Sequence, residues 1–318
     1  MNYIDLHSDT ITMLRYPKED LQNNRRMVKI SALQQGGAMI QCFSDFVPTG
    51  HYPKPLREIS WKTFQRIADK KDALLALHAD CLMPVLDTED IVLCRDIGKI
   101  GVIFTSEDLG VIGSDLKKID RVYRRGVRIA SLTWNHENDL GFPNSKKAWV
   151  MQKGLKPFGL QAVRRMNELG IVVDVSHLSD GGFWDVIHYS KKPVAATHSN
   201  CRALAGHPRN LTDEMIKALA DKGGVMGLNF APAFLSERGD GRSLIQDMVR
   251  HAHHIRNVGG SDVLAIGTDF DGIRGKLEIA DPSGMTRLFD ALKKSGFPES
   301  DIENMFYRNV LRVLKENW

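Results

Sequence analysis

The 318-residue chain has only four cysteines, Cys42, Cys81, Cys94 and Cys201, and no two of them form a CxxC pair. That excludes a zinc ribbon, a thioredoxin-type motif and a disulfide framework, and it suits a reducing compartment. No stretch approaches the roughly 18 uninterrupted apolar residues of a membrane span. The first residues are not a basic leader followed by an apolar run, and RNVLRVLKENW at the C-terminus reads as an amphipathic helix rather than an anchor signal. The expected address is cytoplasmic, with no membrane partner. An excess of one charge is also missing: Lys and Arg number 43 against 39 Asp and Glu, a net +4. The basic clusters are isolated pairs (Lys117–Lys118, Arg124–Arg125, Lys191–Lys192) and read as solvated surface, so no nucleic-acid partner is expected. Internal repeats, low-complexity tracts and composition breaks are absent, so one domain over residues 1–318 is expected.

What is present is the composition of an ordinary soluble protein, 42% hydrophobic and 26% charged. Eight short apolar runs recur: YIDLHSD (3–9), AMIQCFSDF (38–46), KIGVIFTSE (99–107), GVRIASLTW (126–134), GIVVDVSH (170–177), PVAATHS (193–199), GGVMGLNF (223–230) and DVLAIGTDF (262–270). Most are continuous rather than alternating, as parallel strands covered on both faces are. Helical patterns lie between them at 61–77, 155–170, 211–224 and 243–260. The Pro-rich stretch 47–60 and the polar stretch 135–154 read as loops long enough to cover a site. Eight strands alternating with helices predict a (β/α)₈ barrel, whose active sites lie at the C-terminal ends of the strands.

Those ends carry the chemistry. Run 1 supplies His7 and Asp9, run 3 Glu107, run 5 His177, run 6 His198 and run 8 Asp269. Asp45, Asn135, His136 and Asn229 stand at the ends of runs 2, 4 and 7. If the first strand runs through residue 9, alternation puts Asp5, His7 and Asp9 on one face. Such a face is costly to bury unless something compensates it. Three histidines and several carboxylates converging on one mouth suit a divalent transition metal, above all zinc. The donors exceed the needs of one ion, so two are expected, bridged by a carboxylate at about 3.5–4 Å and activating a bridging hydroxide as nucleophile. Singly, each of these residues has a plainer reading as a buried or capping group; their common register is what points to a site. His251, His253 and His254 (RHAHHIR) lie mid-helix and read as a solvated face. Asp271 reads as a cap or a supporting residue, and Asp174 as a buried hydrogen-bonding group beneath the site.

At these motifs the chain resembles the membrane (renal) dipeptidase family of binuclear zinc peptidases, in its soluble bacterial form. The matching stretches are IDLHSD, GVIFTSED, GVRIASLT, FGLQAVRRMNELGIVVDVSH, PVAATHSNCRAL, HPRNLTDEMI, GGVMGLNF and IGTDFDG. The resemblance implies that His7 and Asp9 hold one zinc, that Glu107 bridges, and that His177 and His198 hold the second. It implies Asp269 as acid/base and Arg209, in HPRNLTDE, as the group gripping the carboxylate of a dipeptide substrate. A homodimer is also in keeping with it. Two positions depart from the family. The histidine expected after LT in run 4 is Trp134, with Asn135 and His136 as candidate substrate-contacting replacements, and the tyrosine expected after NF in run 7 is Ala231. A related amidohydrolase acting on N-acyl amino acids or another small amide is the alternative, with the same metal chemistry.

Overall fold

The computed structural model describes residues 2–51 and 57–318. Eight parallel strands form a closed barrel: β1 (Tyr3–Asp5), β2 (Ala38–Phe46), β3 (Ile100–Glu107), β4 (Val127–Ser131), β5 (Val172–Asp174), β6 (Ala195–Ala196), β7 (Val225–Leu228) and β8 (Leu264–Ile266). Each pairs with the next, and the ring closes between β8 and β1 at Ile266 and Asp5. A short extra strand, Leu82–Pro84, occupies the lower half of the β3 edge, below the β3–β4 pairing. The expected (β/α)₈ barrel is therefore the fold.

The strands are buried on both faces, which is why their sequences are unbroken apolar runs. One set of side chains, including Ile4, Ile40, Ile103, Ile129, Val172 and Ala265, fills the barrel's lower interior. Val310, Val313 and Leu314 of the C-terminal helix (Asn309–Asn317) close that end. The alternate set, among them Phe43, Phe104, Val173 and Leu228, packs outward against helices such as Pro157–Leu169 and Asp213–Asp221. Local signals set those helices. Thr212 accepts the Met215 N–H at one N-terminus, and Gly170 ends the other helix in the left-handed conformation at φ 78°. Among the described residues no helix is long and apolar enough to cross a membrane.

Several strands are shorter than their apolar runs. β1 stops at Asp5 rather than running to residue 9, so Asp5, His7 and Asp9 do not share one strand face. Asp5 instead accepts from Thr268 N (2.9 Å), Thr268 Oγ1 (2.7 Å) and Gln41 Nε2 (3.0 Å), tying β8, β1 and β2 together. Asp9 precedes a single helical turn, Thr10–Met13. In β5, β6 and β8 too, the chain leaves the ladder before the functional residue, which frees His177, His198 and Asp269 to turn inward. Of the loop expected at 47–60, residues 49–51 form a 3₁₀ turn, 52–56 lie outside the described residues, and a helix already runs from 57. The stretch 135–154 carries a short helix, Ala148–Met151.

Candidate metal centre

In β3, alternation points Ile103, Thr105 and Glu107 toward the axis. Asp45 faces the other way: its carboxylate accepts from Ser106 Oγ at 3.1 Å, one residue out of phase with Glu107, so it does not join the ring. Around Glu107 the structure gathers the histidines. His177 Nε2 lies 2.9 Å from Glu107 Oε1, His198 Nε2 3.6 Å from the same oxygen, and His7 Nε2 3.7 Å from Oε2. His7 and His198 stack ring on ring at 3.9 Å. Asp9 Oδ1 is 3.9 Å and Asp269 Oδ1 4.0 Å from His7 Nε2. All these groups are buried.

Two triples converge closely enough to hold an ion: His7, Glu107 and His198, and His7, Asp9 and Asp269. They cut across the division implied by the resemblance, because the His7–His198 stack places His7 beside both halves, and they bring Asp269 within ligand reach.

The backing of the histidines fixes what their inner nitrogens can offer. Asp174 accepts the Thr197 Oγ1–H at 2.6 Å, so the hydroxyl oxygen is left to accept from His198 Nδ1 at 2.8 Å. Asn135 Oδ1 accepts from His177 Nδ1 at 2.9 Å. Both Nδ1 atoms are therefore donors, and in the neutral ring each Nε2 presents a lone pair. Burial and the nearby Arg209 guanidinium lower the proton affinity of both rings, which holds them neutral. The ring thus consists of acceptors facing acceptors. His7 Nε2 and Asp9 Oδ1 have no hydrogen-bond partner at all. Buried acceptors in this state need a cation, and imidazole with carboxylate is the donor set of a zinc-class ion. The residues fit the group.

Asp269 sits at φ 63° and His177 at φ 69°, left-handed positions that are costly for residues with a Cβ. Asp269 Oδ2 accepts from Asn229 Nδ2 at 2.9 Å, and burial pushes its carboxyl up to about 6. Gly272 packs over this pair: a Cβ there would run into Asp269 Oδ1 and Asp9 Oδ2. Arg209 is buried, donating through Nη2 to His198 O (3.1 Å) and through Nη1 to Ser199 Oγ (3.4 Å), while its Nε–H has no partner. His207 Nδ1 accepts the Arg209 N–H at 3.2 Å.

The remaining candidates lie around the rim. Asn135, expected as a substrate contact, spends its side-chain oxygen on His177 and on Asn144 Nδ2 (3.2 Å). His136 packs its Cβ against Gly50, with its ring 5.5 Å from Trp134. Trp134 stands edge-on to Phe46 at 4.8 Å and 6.2 Å from the His177 ring. Asp271 caps no helix; it accepts from Thr10 Oγ1 (2.7 Å) and Met27 N (2.8 Å). His251 corrects the reading of RHAHHIR. It is fully buried, accepting the Cys201 N–H at 3.1 Å through Nδ1 and bonding Leu235 O at 3.0 Å through Nε2, because its helix turns the 248, 251, 252 and 255 face onto the barrel. Thr197, Asn144 and Gly272 escaped sequence reasoning. Their signal is adjacency to a motif residue, which alone assigns no role.

The sequence profile of the family described as membrane dipeptidase (peptidase family M19) matches residues 1–317. A Klebsiella pneumoniae protein of unassigned function, encoded in the pqqA 5′ region, is 36% identical over 82% of this chain and 97% of its own length. An uncharacterised dipeptidase of Schizosaccharomyces pombe is 32% identical over 98% of this chain and 80% of its own. Among solved structures, that of dipeptidase AC, a metallopeptidase of the same family, superposes with a TM-score of 0.90 at 26% identity, covering 100% of this chain and 99% of that one.

Proposed function

The chain belongs to the membrane dipeptidase family, and we propose that it hydrolyses dipeptides with two zinc ions held by His7, Asp9, Glu107, His177 and His198. Glu107 is the bridging ligand in this reading. One observation carries it: five buried donor groups converge with acceptors facing acceptors, beside a buried guanidinium that still has a free N–H.

Arg209 binds the substrate's terminal carboxylate. A planar guanidinium matches a carboxylate with two parallel bonds, and burial strengthens them. Its bonds to His198 O and Ser199 Oγ hold it in place. Gripping the carboxylate selects the bond one residue in, which restricts cleavage to dipeptides. Divalent zinc, when bound, supplies Lewis-acid polarisation of the carbonyl and makes water acidic near neutral pH. Asp269 moves the proton. Asn229 occupies its Oδ2, leaving Oδ1 directed at the ring, and a carboxyl pushed up to about 6 both accepts and releases a proton near neutrality. The water oxygen bonds to the carbonyl carbon and its proton passes to Asp269. The C–N bond then breaks as that proton goes to the leaving amine.

The test is elemental analysis together with turnover of L,L and L,D dipeptides and N-acetyl amino acids, before and after chelation. Two zinc ions per chain and chelation-sensitive dipeptide hydrolysis are expected. One ion per chain overturns the bridged pair, and cleavage of the N-acetyl amino acids alone overturns the dipeptide assignment.

A further inference from the structure

A cavity of about 350 Å³ opens beside Asp9 on the side of the barrel away from Arg209. Its walls include Phe46, Met13 and Met27, and three arginines: Arg25, Arg26 and Arg274. Phe46 ends β2, and Arg209 is fastened to the carbonyl after β6; in a ring of eight strands those two are diametrically opposed. The metal centre lies between them.

The arginine wall is held in place. Asp271, two residues beyond Asp269 and at φ 69°, accepts the Met27 N–H, which fixes the segment bearing Arg25 and Arg26 to the strand end bearing the acid/base. Arg26 donates through Nη2 to Met13 O at 2.8 Å, and its Nε–H is buried without a partner. Among the described residues neither Arg25 nor Arg274 has an ion pair or hydrogen bond from its guanidinium, and both are exposed at the opening. Three guanidinium groups with donors to spare line this cavity together with the Asp9 and Asp271 carboxylates. The Asp271 oxygens are already engaged by Thr10 and Met27, so the donors exceed the free acceptors in the manner of an anion-binding wall.

We propose that this cavity receives the side chain of the substrate's amino-terminal residue and that Arg25, Arg26 and Arg274 select an acidic one, aspartate or glutamate. The inference rests on the dipeptidase reading. With the terminal carboxylate at Arg209 and the scissile bond at the ring, the residue on the amino side extends across the barrel toward β2 and β8. A carboxylate there meets the free donors. Glutamine in its place loses the charge, and a lysine meets like charge.

The experiment compares kcat/KM for Glu-Ala, Gln-Ala and Ala-Glu, each in L,L and L,D forms, in the wild type and in R25E/R274E, with R25Q/R274Q as the milder pair. Binding of Glu-Ala and Gln-Ala to the metal-loaded Asp269→Asn protein is measured alongside by calorimetry. The wild type is expected to favour Glu-Ala over Gln-Ala by about tenfold, the discrimination of one charge-assisted contact. The ratio should collapse toward one in the variants and shrink with added salt. An unchanged ratio in the variants, or a preference for Ala-Glu instead, overturns the subsite. If no dipeptide is cleaved, the dipeptidase reading fails, and the calorimetric ratio still decides for or against the arginine site.

Discussion

His177 and His198 face each other nitrogen to nitrogen, Nε2 to Nε2 at 3.0 Å, although neither has a proton to share. Their outer nitrogens are donors to Asn135 and to Thr197, and Thr197 is itself committed to Asp174. Asp174 is therefore the ultimate anchor of His198, acting through one hydroxyl. With His198 as a ligand in the proposed reading, the threonine would set metal affinity without touching the metal. Thr197→Val keeps the shape and removes the relay. Zinc affinity, measured against a competing chelator, is expected to fall about 10–100-fold. Thr197→Ser should retain most of it.

Asp269 serves two geometries at once, lying within ligand reach of His7 and Asp9 while bonded to Asn229. The acid/base role predicts that Asp269→Asn keeps both metals and loses about 10²–10⁴-fold in kcat. Loss of a metal in the elemental analysis of that variant would make Asp269 a ligand instead.

Gly272 predicts an effect out of proportion to its size. A methyl at this position has no room between the Asp9 and Asp269 carboxylates. Gly272→Ala should lower metal content or kcat sharply while thermal stability of the apoprotein changes little, since the barrel core is remote from it. Equal loss of both would mean that the residue is merely structural.

Arg209→Lys tests the fork. Lysine keeps the charge and loses the planar pair of donors. KM for dipeptides is expected to rise about tenfold or more, with metal content unchanged. Unaltered KM would place the carboxylate elsewhere.

Much of this is legible in the sequence alone. Unbroken apolar runs mark strands covered on both faces, and the barrel places their ends together, so His7, Asp9, Glu107, His177, His198 and Asp269 could be collected from the sequence. Strand ends were less legible. Hydrophobicity continues past Asp174 because Val175 stays buried after the ladder stops, and beyond Ala196 the polar Thr197, His198 and Ser199 are buried as well. Asp45 misled because an aspartate at a strand end looks alike on either face, and only its phase with Glu107 separates the two. The roles of Asn135 and Asp271 depend on partners up to 261 residues away, such as Thr10 for Asp271, and no local pattern encodes them.

The burial of His251 is likewise set by distant partners, Cys201 and Leu235, and it has a measurable consequence. Nδ1 accepts the Cys201 N–H and Nε2 bonds Leu235 O, so the neutral ring with its proton on Nε2 satisfies both partners. A second proton, on Nδ1, would point at another N–H. Burial accordingly lowers the pKa from the ordinary 6.5 to about 4, and Arg250 and His254 add to that while Leu235 O and Asp247 oppose it. Between those values the unfolded chain binds a proton that the folded chain does not, so stability rises with pH across this window. The contribution is intact above about 6.5 and is lost as pH falls toward 4, amounting to about 3 kcal/mol. Chemical denaturation of the apoprotein at pH 7 and pH 4.5 should show a loss that His251→Gln reduces by the share of His251, though that variant is the less stable at pH 7. The remainder belongs to His7, His177, His198 and His207, whose pKa values burial also lowers. An equal pH dependence in wild type and variant would assign the acid sensitivity to other groups.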